Sequence, residues 1–163
     1  MKKDIDIPAI YDDYDWKEVF GEGEGGNCDK SKVDAIPDDA AIDLTPPMLA
    51  DVVEVVCAAN GENDGAAWIG VFKLRDGRYV VAEGSCDYTG WDCQAGNSLQ
   101  VAGSLDDAIQ YGLQREDRIR LDAPLLPPGF PPDFDLTDET NRRVAADRFE
   151  ELGQPELAAE LRS

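Results

Sequence analysis

WIGVFKLRDGRYVVAEG, residues 68–84, is the stretch on which the reading of this chain turns. Two runs rich in β-branched and aromatic residues flank Arg75-Asp76-Gly77, and Asp-Gly between such runs is a short-range signature of a β-hairpin. NSLQVAG, residues 97–103, has the same character and predicts a third strand. Ser104 then precedes Leu105, Ala108, Ile109 and Leu113 at helical spacing, with Asp106 and Asp107 in the first turn, where a helix favours carboxylates. A further short helix is expected over 114–121.

Upstream of the hairpin, Thr45-Pro46-Pro47 puts prolines at the first turn of a predicted helix. Leu49, Val52, Val53 and Val56 would form its apolar stripe, with Cys57 buried beside them and Asn60-Gly61 as its stop. The order helix, three strands, helix predicts an α+β core over 45–121: a three-stranded antiparallel meander with helices packed on one face.

Outside that core the composition shifts. Residues 1–44 read as an acidic, aromatic N-terminal extension, in which Asp12 or Asp13 caps a short helix and Trp16, Val19 and Phe20 share one face. GEGEGGNCDK, residues 21–30, reads as a mobile loop whose carboxylates repel phosphate. Residues 122–136, DAPLLPPGFPPDFDL, carry five prolines and read as an extended linker. From Thr137 onward a C-terminal helical hairpin is expected, broken at Gly153 and restarted at Pro155.

With 163 residues the chain can bury a core without metal or disulfide staples. The longest apolar run, AAWIGVF, is far too short to span a bilayer, so no membrane partner is expected. Lys2 and Lys3 run straight into Asp4 and Asp6, with no apolar signal segment behind them. A cytoplasmic location and reduced thiols at Cys28, Cys57, Cys86 and Cys93 follow as expectations.

The 35 acidic residues exceed the 15 basic ones in every part of the chain, for a net charge of -20. Such a field repels nucleic acid and accelerates encounters with basic protein surfaces. Two plainer origins of the charge compete with a functional one: the codon bias of a GC-rich genome and adaptation to a salt-rich cytoplasm. Aspartate outnumbers glutamate 23 to 12, as the first of these would produce.

GSCDYTGWDCQ, residues 84–94, holds the densest set of reactive groups. Its cysteines are seven apart, unlike a zinc ribbon or thioredoxin motif, and the chain has no histidine. Asp87 and Asp92 would raise a neighbouring thiol's pKa and so oppose a cysteine nucleophile. No cofactor or metal is expected. If the segment is a broad turn, Cys86 and Cys93 form a candidate redox pair. Tyr88 and Trp91 either fold back over the sheet or, with Asp87 and Asp92, form an exposed knob for a partner protein; Trp16 and Phe20 join them as candidate anchors.

The block DGRYVVAEGSCDYTGWDCQAG, with NDGAAW before it and SLDDAIQYGL after it, resembles a set of small acidic proteins of bacteria and their phages. The resemblance covers roughly 50–121 and implies no activity. The expected function is therefore a non-enzymatic, acidic protein-interaction module. In its sharper form it is a phage or mobile-element inhibitor whose carboxylates mimic nucleic-acid phosphates for a basic partner. The alternatives are a small-ligand- or metal-dependent enzyme built on 83–94, and a salt-adapted soluble protein with no dedicated partner.

Overall fold

The computed structural model describes residues 1–23, 33–36, 42–87 and 90–163, and, of 92–95, the backbone alone. It forms two compact units, Met1–Ala123 and Pro124–Ser163. Most of the glycine-rich stretch 21–30 lies outside the described residues.

The first unit is α+β and is built on a five-stranded mixed sheet. Strands β1 (Val33–Ile36), β2 (Val52–Ala59), β3 (Trp68–Leu74), β4 (Tyr79–Asp87) and β5 (Gly90–Ala102) lie in the order β1-β5-β4-β3-β2. The pair β1–β5 is parallel, in register Val33 with Leu99, and the other pairs are antiparallel. A one-residue parallel bridge from Lys3 to Ala58 lengthens the β2 edge. The hairpin closes as its residues predict: Gly77 takes φ +92, and its N–H donates to the carbonyl of Leu74 at 3.0 Å.

The three-stranded meander is thereby corrected, chiefly at 45–60. That segment is a 3-10 turn, Leu49–Asp51, running into β2, not a helix. Spacings of 0, 3, 4 and 7 describe one face of a helix, but they also fit a strand buried on both faces, and Val55 through Ala59 are all buried. The consecutive valines tip the choice towards a strand, because their branched Cβ atoms lose rotamer freedom in a helix.

Helices cover both faces of the sheet rather than one. On one face, α1 (Tyr14–Val19) and a 3-10 turn at Ala9–Asp12 bury Ile10, Trp16, Val19 and Phe20 against Phe72, Leu74, Val80 and Leu99. On the other, α2 (Leu105–Gly112) and α3 (Arg115–Leu121) bury Ala108, Ile109, Leu113 and Leu121 against Val56, Ile69, Val71 and Val81. Adjacent residues such as Val80 and Val81 therefore serve opposite layers, which explains why the strands are continuously apolar and not alternating. Residues 1–23 thus build part of the first unit's core.

Arginines staple this unit from within. Arg118, 6% exposed, donates to the carbonyls of Ile109, Gln110 and Leu113, the C-terminal end of α2 where unpaired acceptors and negative dipole accumulate. Arg120 donates to the carbonyls of Ala67 and Asn60, tying the β2–β3 loop to α3.

The second unit is a helical hairpin of α4 (Glu139–Glu151) and α5 (Pro155–Arg162). Asp138 caps α4 by accepting from the N–H of Asn141 at 2.9 Å. Its core joins Ala145, Ala146, Phe149, Ala158 and Leu161 to Leu125, with Phe130, Phe134 and Leu136 packed against them. Phe130 meets Phe134 edge to face at 4.9 Å. Residues 124–136, expected as a linker, are therefore a packed arm of this unit: proline excludes helix and central strand but not burial of the leucines and phenylalanines between.

Candidate functional site

The segment 84–94 is not a broad turn. β4 continues to Asp87 and β5 begins at Gly90, so the two strands run on beyond their neighbours as a ribbon. Trp68 pairs with Gly84 and Val33 with Leu99, while the ribbon pairs Ser85 with Gly96 and Cys86 with Ala95.

Three sequence-distant pieces lock one face of this ribbon. Asp13 accepts from the N–H of Trp16 at 2.9 Å and so starts α1, which directs Trp16 and Val19 inward. Gly84 lets α1 and Trp91 approach: a Cβ there would lie 2.8 Å from Val19 Cγ2 and 3.0 Å from Trp91 Cη2. Trp91 is 4% exposed, packs on Trp68 at 5.2 Å, and donates its indole N–H to Asp15 Oδ1 at 3.1 Å. Trp16 donates to Asn60 Oδ1 at 2.9 Å and meets Phe72 edge to face, as does Phe20. The loop before β3 adds a backbone bond from Asp64 N–H to the carbonyl of Cys86, and the Cys86 thiol donates to Asn63 Oδ1 at 3.3 Å.

The result gathers Asp4, Asp15, Glu62, Asp64 and Asp87 near one end of the sheet from four stretches of chain. Three of the candidate anchors, Trp16, Phe20 and Trp91, are core side chains, and the indole N–H groups of the two tryptophans are satisfied internally, so the exposed face there is the carboxylates and not these aromatics. Tyr88 lies outside the described residues, as do the side chains of Asp92 and Cys93. The Cys86–Cys93 pairing is therefore not described; Cys86 itself carries a free thiol, opposite Ala95 in the ladder. Burial raises that thiol's pKa, and the carboxylates of Asp15 and Asp87 raise it further, which opposes nucleophilic use.

On the ribbon's other face α2 and α3 no longer cover the sheet, leaving a shallow depression of about 300 Å³ lined by Glu83, Gly84, Ser85, Gly96, Asn97 and Ser98. Burial, and then the nearby Asp117 carboxylate, raises the Glu83 pKa. Burial and Asp107 do the same for Asp106. Glu83 and Asp117, and separately Asp106 and Asp107 at the start of α2, sit close enough to repel one another, yet among the described residues no group of three or more Cys, Asp or Glu could hold a metal ion. No described helix is long and apolar enough to cross a membrane.

The cations do not offset these acids evenly. Arg118, Arg120 and Arg142 turn to backbone carbonyls, and Arg78 combines Asp76 with the carbonyls of Asp43 and Thr45. The sequence carries no signal for this partition, because each acceptor lies in another element or loop. No protein-family model, curated protein or solved structure matches the chain.

Proposed function

We propose that the chain is a non-enzymatic interaction module whose exposed carboxylates dock on a basic protein surface. The observation that supports this reading is the direction of its arginines. Arg78, Arg118, Arg120 and Arg142 direct donors to backbone carbonyls, so their charge serves the fold, while the acidic residues at 4, 15, 62, 64 and 87 stay exposed or half-buried at one end of the sheet. Electrostatic complementarity of this kind accelerates encounter and selects partners more than it adds affinity. Its sharper form is occupancy of a nucleic-acid-binding groove, with carboxylates in place of phosphates.

The test is capture of partners from the native cell by the full chain at about 50 and about 300 mM salt, followed by competition with duplex DNA. A basic partner lost at the higher salt, displaced by DNA, and not bound by a Glu62→Gln, Asp64→Asn, Asp87→Asn variant that keeps its circular dichroism is the expected result. Capture that is indifferent to salt and to the variant would remove the proposal. Recovery of fold only in molar salt, with no partner, would leave the charge as a solubility device.

A further inference from the structure

The second unit carries 9 acidic and 4 basic residues, yet three of its four arginines converge on one groove. Glu139, Arg142 and Arg143 at the start of α4 and Leu161 and Arg162 at the end of α5 line a volume of about 290 Å³. The three cations differ in how far they are already satisfied. Arg162 is held by Asp147 at 2.7 Å and Glu150 at 2.9 Å. Arg142 directs only its Nη1 to carbonyls, those of Leu136 and Thr137, both at 3.2 Å. A guanidinium has five donors, so the Nε and Nη2 groups of Arg142 retain theirs, and no carboxylate among the described residues pairs with them. Arg143 has one contact, Glu139 at 3.5 Å, with both side chains mostly exposed.

We infer that this groove binds a carboxylate of an acidic, extended segment of a partner polypeptide. Planar guanidinium donors match a carboxylate in fork geometry. The nearly buried Leu161 supplies an apolar wall for an aliphatic neighbour in the same segment. A free dicarboxylate fits less well, because small-ligand sites enclose most of their ligand and this groove lies open along one side. An extended segment can add contacts on either flank. A nucleic-acid strand, with a charge at every nucleotide, is repelled by the field of a chain with net charge -20 far more than a segment with one or two carboxylates.

The experiment is an NMR titration of the labelled full chain with the capped peptide acetyl-Leu-Glu-Glu-Leu-amide, with acetyl-Leu-Gln-Gln-Leu-amide and inorganic phosphate as separate arms. Expected are saturable shifts confined to 139–143 and 161–162, a dissociation constant on the order of millimolar, as few exposed ion pairs permit, and at least tenfold weakening by Arg142→Gln with Arg143→Gln. Because Arg142 also holds the Leu136 and Thr137 carbonyls, Arg143→Gln alone is measured as well and should weaken binding severalfold with the spectrum otherwise intact. Equal shifts with the glutamine peptide, equal binding of phosphate, shifts centred on Arg75 and Arg78 of the β3–β4 hairpin, or unchanged affinity in both variants would overturn the assignment.

Discussion

The indole nitrogen of Trp91 and the carboxylate of Asp15 meet at 3.1 Å across 76 residues of chain, and this bond joins the β4–β5 ribbon to the N-terminal helix. Two segments that look like acidic, aromatic surface decoration thereby become one buried seam. Truncating Trp91→Ala should cost about 3–5 kcal/mol of unfolding free energy, as large aromatic deletions do in cores. Asp15→Ala, which leaves the indole N–H without its acceptor, should cost about 1–3 kcal/mol. Urea titrations of both singles and of the double variant check the coupling. Strict additivity would mean that the bond does not hold the seam.

Arg118 should behave unlike any other arginine of the chain. Replacing it by Met keeps an unbranched apolar stem but removes the guanidinium donors from three carbonyls at the C-terminal end of α2. A loss of about 3 kcal/mol is expected, because hydrogen bonds from charged donors to buried acceptors are among the costlier ones to delete. Lysine, a point charge without the planar fork, should restore only part of it. Arg143→Gln, exposed on α4, should shift thermal unfolding hardly at all.

Cys57 is fully buried in β2, and burial pushes its thiol up to about 11 from an ordinary value near 9. Below the unfolded value both states keep the proton and stability is unaffected. As pH rises from 9 towards 11 the unfolded chain releases it while the folded chain does not, so stability falls by at most about 1.4 kcal/mol per pH unit. Chemical denaturation between pH 8 and 11 should show this decline in the parent and a flatter profile in Cys57→Ala. The same thiol should resist iodoacetamide until the protein unfolds.

Glu83 titrates with the opposite consequence for neutral solutions. Burial and Asp117 both penalise its ionised form, so its contribution to stability is complete below the ordinary glutamate range and is lost as pH rises through the folded value. Glu83→Gln should therefore melt above the parent at pH 7, with the gap closing as pH falls below about 4. Asp117→Asn should raise the melting temperature in the same sense by removing the second cause. A variant that melts lower at pH 7 would show that Glu83 has a stabilising partner outweighing both.

How much of this was legible in the sequence depends on range. The hairpin at Gly77, the cap at Ser104 and the helix from Pro155 are determined by residues within four positions of one another, and they stand where their signals lie; of Asp12 and Asp13 the second is the cap, and the helix expected from Thr137 is capped one residue on, at Asp138. The β2 strand was misread because burial on both faces erases the alternation that separates strand from helix, and that double burial comes from α1 on one side and α2 with α3 on the other. For a related reason Trp16 and Phe20 read as candidate surface anchors, and Trp91 stays open between folding back over the sheet and standing exposed; all three are buried. Neighbouring aspartates suggest solvent, whereas Asp15 itself turns inward to Trp91.

The sequence by itself determined the sign of the charge, the absence of imidazole chemistry, and the turns and caps, since these belong to single residues and their immediate neighbours. Only the tertiary structure decided which aromatic side chains are core, which arginines face backbone carbonyls rather than carboxylates, and which acids gather at one end of the sheet. Those outcomes depend on partners brought together across tens of residues. In that step the burial of apolar area outweighs local preference, and every buried N–H must then find whatever acceptor the packing brings near.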